Sequence, residues 1–174
     1  NPTDPEVKAE NISRIQREVE ILTKIKTPSL VKIGSLKPIE EDIDGNCYFI
    51  YSEEFLDGED LHSLIKKNYS PNQKELNQLC LSLINCIEEF KSKSMNIVHR
   101  DIKPLNIIKT GKKGREFVLI DLGIAFYLSG TNFTRDSNKV PGSAPYLAPE
   151  FFKPNFRERM DFRSDLYNVG LTIY

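Results

Sequence analysis

The chain has no tryptophan, only three cysteines and no apolar run long enough to cross a membrane. An odd number of cysteines without metal-ligand spacing argues against a disulfide framework or a zinc site, and favours buried thiols in a reducing compartment. A membrane helix needs roughly 18 consecutive apolar residues, and no charged-then-apolar signal peptide opens the chain. These absences predict a soluble, cytoplasmic protein.

Neither sign of charge predominates. The 24 lysines and arginines nearly balance the 25 acidic residues, leaving a net charge of -1, so no global field attracts the chain to nucleic acid or to an anionic membrane. The basic segment 110–115 contains no aromatic residue, which is typical of a solvated turn. We therefore expect neither nucleic acid nor a membrane as a partner.

The length of 174 residues allows one domain with a sizeable core, and no linker rich in glycine, serine or proline divides it. The chain begins without methionine and ends inside the apolar helical run 166–174. This predicts part of a larger domain, which in isolation would expose apolar surface and form swapped dimers or aggregates.

The first helix carries one acidic residue of interest. Apolar residues recur at spacings of three and four from Ile12 to Leu22, which predicts a helix with one packed face. Glu18 lies at the inward edge of that face, where an unpaired charge is costly. Without a motif elsewhere, the simpler interpretation is a solvated flank beside Arg14 and Arg17.

An antiparallel sheet is predicted beside this helix. Extended segments at residues 30–35 and 47–53 flank a turn signal at residues 44–46. Residues 54–58 break the strand pattern, and helical spacing begins after them.

A mainly helical region is predicted to follow. A broad apolar stripe after Pro71 indicates a long helix that is buried on one side. Short strands are expected at residues 105–109 and 116–120, and the polar stretch 123–144 is expected to form a long loop.

The chemistry is concentrated in residues 99–106 (HRDIKPLN) and in Asp121. If the two short strands between them form a hairpin, Asn106 and Asp121 come to the same open end, where amide and carboxylate oxygens suit Mg²⁺. Asp101 and Lys103 flank that site. A carboxylate to orient a hydroxyl, an ammonium and a metal are the parts that phosphoryl transfer requires.

These two segments resemble the catalytic loop and the metal loop of the eukaryotic-type Ser/Thr protein kinase family. Residues 148–150 (APE) and 164–167 (SDLY) match further elements of that family in the same order. The resemblance covers nearly the whole chain, from the C-helix to the F-helix. It implies an α+β, bilobal protein-kinase-like fold, with a truncated small lobe (residues 1–56, a helix plus antiparallel strands) and a mainly helical large lobe (residues 57–174).

The resemblance implies roles for the residues of the catalytic loop. Asp101 would orient the substrate hydroxyl and accept its proton, and Lys103 would stabilise the transferring phosphate. Asn106 and Asp121 would hold Mg²⁺. Lys103 is typical of members that act on serine and threonine, and Ser143 stands where the family usually has threonine.

The nucleotide side is implied in the same way. Glu18 matches the glutamate that pairs with the ATP-binding lysine, and the segment from Glu54 to Leu56 resembles the hinge that binds adenine. Either Glu53 or Ser52 would occupy the position that controls access to the pocket behind adenine. Neither a glycine-rich phosphate loop nor a strand lysine precedes Glu18 in these residues, so this stretch alone is expected to be inactive.

The resemblance also bears on regulation and support. Arg100 resembles the arginine that senses a phosphate on the activation loop, for which Thr131, Thr134 and Ser137 are candidate acceptors; for any one of them an ordinary polar loop residue is the simpler interpretation. His99 is assigned to packing. Asp165 is expected to bond the catalytic-loop backbone.

The sequence therefore favours a non-specific protein serine/threonine kinase that uses ATP and Mg²⁺ and acts on protein substrates, including itself. One alternative is a pseudokinase scaffold that binds protein partners without phosphoryl transfer. A small-molecule phosphotransferase is disfavoured by Lys103 and by residues 148–150.

Overall fold

The computed structural model describes residues 5–36, 38–44, 46–92, 95–122, 126–127 and 142–174. The helices are α1 (Pro5–Lys24), α2 (Leu61–Lys66), α3 (Gln73–Lys91), α4 (Phe156–Arg159) and α5 (Phe162–Ile173). The strands are β1 (Ile39–Ile43), β2 (Asn46–Ile50), β3 (Gly58–Asp60), β4 (Ile97–Val98), β5 (Ile107–Thr110), β6 (Phe117–Leu119) and β7 (Phe126–Tyr127). Short 3₁₀ helices cover Pro104–Asn106, Ala144–Tyr146 and Pro149–Phe152. The mixed α+β class predicted from the sequence is confirmed.

Helix α3 is the long buried helix that the apolar stripe predicts. Asn72 caps its first turn by accepting from the backbone N–H groups of Lys74 and Glu75, while the Glu75 carboxylate accepts from the Asn72 N–H. This reciprocal box satisfies donors that the first turn leaves without helical partners. The buried face of the helix packs in the main core.

Helix α1 ends at Lys24, ahead of Pro28, as its pattern predicts. Ile21 and Leu22 are buried on its packed face. Glu18 is only 7% exposed, so the interpretation of this residue as a solvated flank is wrong.

The predicted hairpin forms, but with a different first strand. Strand β1 pairs antiparallel with β2 around the turn at Asp44, which has φ 53°. Residues 30–35, expected to be the partner strand, make only single bridges, one from Leu30 to Leu119 and one from Ile33 to Glu53. Strand β1 has the sequence IEEDI and is exposed along its whole length, so it lacks the apolar alternation by which strands are found in a sequence.

Strands β3, β5 and β6 form a second antiparallel sheet. The β5–β6 hairpin is predicted by the sequence, whereas β3 is not. Gly58 opens β3 because its backbone lies directly against Lys109 of β5, where a Cβ atom would collide with the Lys109 carbonyl oxygen.

Two clusters of buried apolar side chains hold these elements together. The larger cluster joins α1, α3, β6 and α5, and includes Phe90 and Phe117. The smaller one joins Val98 of β4 to Phe151 and Phe156. Within the part of the chain that the structure describes, no helix is both long enough and apolar enough to span a membrane.

Candidate active site

The loop that follows β4 is held in a strained conformation by α5. Arg100 has φ 72°, a left-handed value that is unusual for a residue with a side chain. Asp165, which is fully buried on α5, accepts from the backbone N–H groups of His99 and Arg100, each at 2.8 Å. Burial raises the pKa of Asp165 to about 7, while these two donors act to lower it. Asp165 therefore supports the loop backbone, as predicted.

Lys103 and the Ser143 backbone both bind the carboxylate of Asp101. Lys103 Nζ lies 2.6 Å from Asp101 Oδ2 and also donates to Ser143 Oγ at 2.7 Å. The Ser143 backbone N–H donates to Asp101 Oδ1 at 3.1 Å. The structure thus brings Asp101, Lys103 and Ser143 into one hydrogen-bonded group, in which a carboxylate lies beside a cation.

Asn106 supports the same carboxylate from the other side. It ends the short helix Pro104–Asn106, and its Nδ2 donates to the Asp101 carbonyl oxygen at 3.0 Å and to Asp101 Oδ2 at 3.3 Å. Because the amide nitrogen is bound to Asp101, the amide oxygen is the atom that Asn106 offers to a cation.

Asp121 lies at the same end of the β5–β6 hairpin as Asn106. Ile107 pairs with Leu119, and the Ile120 N–H donates to the Asn106 carbonyl oxygen at 2.9 Å, so Asp121 is the next residue after that pair. It has φ 64° and is exposed. The hairpin therefore brings the two predicted metal ligands together, as the sequence predicts.

The donors at this end fit a magnesium ion. Among the described residues no group of three or more His, Cys, Asp or Glu side chains is placed to hold a metal. Mg²⁺ commonly takes one or two protein oxygens and completes its shell with waters and phosphate oxygens. Asp121 with Asn106 would suit that pattern.

Glu18 contacts the loop that carries Asp121. Its Oε1 accepts from the Leu122 backbone N–H at 2.8 Å, and the Tyr51 hydroxyl donates to it. Burial raises the pKa of Glu18, and the nearby Asp121 adds to the effect. Leu122 is 2% exposed and packs in the main core.

The predicted hinge lies between residue 53 and β3. The Glu54 backbone N–H donates to the Lys32 carbonyl oxygen at 2.9 Å, and its carboxylate pairs with Arg115. Leu56 is partly buried against the main core. The N–H and the carboxylate of Glu54 are therefore both bound within the protein.

The geometry favours Glu53 over Ser52 at the inner wall of the cleft. Ser52 Oγ accepts from the Leu36 N–H, on the side of residues 34–36. The Tyr51 hydroxyl, which donates to Glu18, lies 3.4 Å from a Glu53 carboxylate oxygen. Residues 51 and 53 therefore point to the side of Glu18, and residue 52 points away.

The basic turn before β6 differs from expectation. Lys112 and Lys113 are exposed, as predicted, but Arg115 is only 8% exposed. Sequence reasoning missed this residue because a run of cations does not show which of them pairs with a carboxylate that is distant in sequence, here that of Glu54.

The remaining predictions divide between packing and the loop. His99 is fully buried against the Phe90 ring, and burial lowers its pKa to about 4, as expected of a packing residue. The candidate phosphate acceptors Thr131, Thr134 and Ser137 lie outside the described residues.

Comparison of the sequence with known proteins identifies a family. The family model "Protein kinase domain" matches residues 3–174. The chain is 33% identical to a probable serine/threonine-protein kinase PknB of Bifidobacterium longum over 94% of this chain and 23% of that protein. It is 32% identical to the serine/threonine-protein kinase PrkC of Bacillus subtilis, over 95% of this chain and 23% of that protein.

A third relative is the serine/threonine-protein kinase pkn3 of Myxococcus xanthus, which is 26% identical over 94% of this chain and 29% of its own length. The chain thus spans about a quarter of the length of these curated relatives. Since the family match runs over nearly all of its residues, the chain belongs to the protein kinase domain family.

Proposed function

We propose that the protein transfers the γ-phosphate of ATP to serine and threonine hydroxyls of protein substrates in a Mg²⁺-dependent reaction. The observation that carries this proposal is the hydrogen-bonded group of Asp101, Lys103 and Ser143. It combines a carboxylate that can orient a hydroxyl with a cation that can bind a phosphate group.

Each side chain of the group has a distinct task in this proposal. Asp101 orients the acceptor hydroxyl and takes its proton as the new P–O bond forms. Lys103 stabilises negative charge on the transferring group, because an ammonium held close to that charge in a partly desolvated site acts strongly. Ser143 keeps Lys103 in place through the bond between Oγ and Nζ.

Asn106 and Asp121 would hold the magnesium ion, which when bound neutralises charge on the ATP phosphates. Glu18 would pair with a strand lysine, and residues 54–56 would contact adenine. No such lysine and no glycine-rich loop precede Glu18 within these 174 residues. Transfer would require such a lysine and such a loop in addition to these residues, so the complete reading frame is the protein to assay.

A scaffold without transfer is the competing function. Such a protein has no use for a proton acceptor, a phosphate-facing lysine and two metal ligands arranged in one cleft. The hydrogen bonds that join Asp101, Lys103 and Asn106, and the position of Asp121 at the same end of the hairpin, support the enzyme.

The test is a transfer assay on the complete reading frame. With labelled ATP, Mg²⁺ and a generic acceptor protein, label should appear on serine and threonine. No label should appear when EDTA chelates the metal during the reaction. Lys103→Met should reduce kcat about a hundredfold or more, in the range seen when one charge-stabilising donor is removed. Labelled tyrosine alone, or no label from a folded protein that binds ATP, would contradict the proposal.

A further inference from the structure

Arg115 occupies an unusual place for a turn residue. It lies between β5 and β6, yet its side chain is 8% exposed and extends to the predicted hinge. Its Nη1 donates to Glu54 Oε2 at 2.7 Å, and its Nη2 to Glu54 Oε1 at 2.5 Å. A bidentate pair of this kind fixes both the direction and the distance of the two side chains.

The same guanidinium also binds backbone that follows α1. Its Nε donates to the Pro28 carbonyl oxygen at 2.8 Å, and Nη2 donates to that of Leu30 at 3.2 Å. One planar group thus joins the turn before β6, the hinge and the segment after α1. Lysine has neither the five donors nor the plane to replace it.

Glu54 is fixed at both of its ends. Its backbone N–H donates to the Lys32 carbonyl oxygen, and its Oε1 accepts from the Lys32 N–H at 2.9 Å. The hydrogen bonds from Arg115 lower the pKa of Glu54, so the pair is ionic at neutral pH. The position of the hinge backbone therefore depends on a side chain from the large-lobe hairpin.

That hairpin is the one that carries the metal ligands. The Arg115 backbone is anchored there, because its carbonyl oxygen accepts from Thr110 Oγ1 at 2.6 Å and its N–H donates to Lys112. Asn106 precedes β5 and Asp121 follows β6. Arg115 thus connects the backbone proposed to contact adenine to the strands that present the proposed metal ligands.

We propose that Arg115 is a positioning residue for the nucleotide, which through Glu54 holds the hinge in register with the Asn106–Asp121 end of the hairpin. This inference rests on the proposed function. Loss of the guanidinium removes two of the three donors to the Glu54 carboxylate, leaving the Lys32 N–H, and it removes the donors to the Pro28 and Leu30 carbonyl oxygens. We therefore expect the hinge backbone to shift. Binding through backbone groups is sensitive to such a shift, because hydrogen bonds weaken steeply with distance and angle.

The test compares Arg115→Gln and Arg115→Lys with wild type in the complete reading frame. The KM for ATP and the Kd of a fluorescent ATP analogue should rise about tenfold in Arg115→Gln, the loss expected for one charge-assisted interaction. The kcat should stay within about threefold, because Asp101 and Lys103 are untouched. Arg115→Lys, which keeps the charge without the fork, should give intermediate values.

The matched control is Arg163→Gln, which breaks another bidentate pair, with Asp161, on the surface. It should leave the KM for ATP unchanged. A merely structural role for Arg115 would lower the folded fraction, and therefore the apparent kcat, at an unchanged KM.

A double-mutant cycle with Glu54→Gln isolates the pair. If the two side chains act as a unit, Arg115→Gln and Glu54→Gln together should raise the KM no further than either alone. Additive effects, or an unchanged KM and Kd in a folded Arg115→Gln protein, would overturn the inference while leaving transfer activity intact. A folded wild type that binds no nucleotide would contradict the proposed function itself, and this inference with it.

Discussion

Asp101 shows how one side chain is prepared for chemistry by its neighbours. Oδ1 accepts from the Ser143 N–H, and Oδ2 accepts from Lys103 and Asn106. A carboxylate bound on both oxygens cannot rotate freely, so its direction is set before any substrate arrives. Pre-set direction is worth more here than strong basicity, since phosphoryl transfer depends on positioning.

Asp165 sets the backbone on which Asp101 stands. Asp165→Asn should destabilise the protein by about 3 kcal/mol, because it replaces one of two buried acceptors with an N–H₂ that faces a backbone donor. Arg100, already at φ 72°, would lose the bond that holds it there. Urea unfolding followed by circular dichroism measures the change.

The control for that substitution is Asp161→Asn on the same helix. Asp161 caps α5 by accepting from the Arg163 N–H, and asparagine caps a helix about as well as aspartate. A loss under 1 kcal/mol is expected there. Equal losses in the two variants would show that Asp165 has no special role.

His99 gives a prediction in pH. Burial lowers its pKa to about 4, below its ordinary value of 6.5, so below pH 6.5 the unfolded chain binds a proton that the folded protein does not. Stability contributed by neutral His99 is therefore lost as pH falls. Asp165 titrates in the opposite sense, but it is present in both proteins and cancels in a difference.

Between pH 7.5 and pH 5, wild type should consequently lose about 2 kcal/mol of unfolding free energy relative to His99→Phe. Denaturant titrations at several pH values measure it. A pH-independent difference would mean that His99 takes up a proton in the folded state.

At the scale of elements, predictability followed apolar periodicity. Helix α3 was found because its buried face repeats at helical spacing, and the β5–β6 hairpin because a polar turn that contains glycine separates two short apolar segments. Strand β1 was missed because its side chains are acidic and exposed, and β3 because it is three residues long and begins with glycine. Such strands are set by their partners rather than by their own residues.

Part of the candidate site was also predictable from the sequence. The order HRDIKPLN, then Asp121, then APE carries the family resemblance on which the proposed catalytic loop and metal ligands rest. The β5–β6 pairing brings Asn106 and Asp121 to one end of the hairpin. The contact between Arg115 and Glu54 joins residues 61 positions apart, and no local pattern indicates it. The position of Tyr51 beside Glu18 escaped the sequence for the same physical reason.

Helix α3 can be tested as an element through its cap. Asn72→Ala removes the acceptor of two backbone N–H groups and half of the reciprocal box with Glu75, so it should cost about 1 kcal/mol. Asn77→Ala, on an exposed face of the same helix, should cost little or slightly stabilise, since alanine favours helix. Chemical denaturation of both variants measures this; a loss in Asn77→Ala as large as that in Asn72→Ala would contradict it.

At the scale of the whole molecule, two clusters of apolar side chains are buried, whereas apolar side chains of the β1–β2 hairpin are exposed. Ile43 and Tyr48 are 50% and 48% exposed, and Ile39 and Ile50 are also exposed. Apolar side chains gathered on one hairpin support the expectation that the 174-residue chain self-associates when expressed alone. Self-association would interfere with an assay of these 174 residues alone, so activity is to be measured on the complete reading frame.

The central claim is that Asp101 serves phosphoryl transfer to serine and threonine. The direct measurement is the initial rate of Mg²⁺-dependent transfer from labelled ATP in the complete reading frame, for wild type, Asp101→Asn and the control Asp44→Asn in the β1–β2 turn. Asp101→Asn should retain ATP binding and lose at least about a hundredfold in kcat, as expected when an essential proton acceptor is removed, while Asp44→Asn matches wild type. Equal transfer by Asp101→Asn and wild type would contradict the assignment of the site.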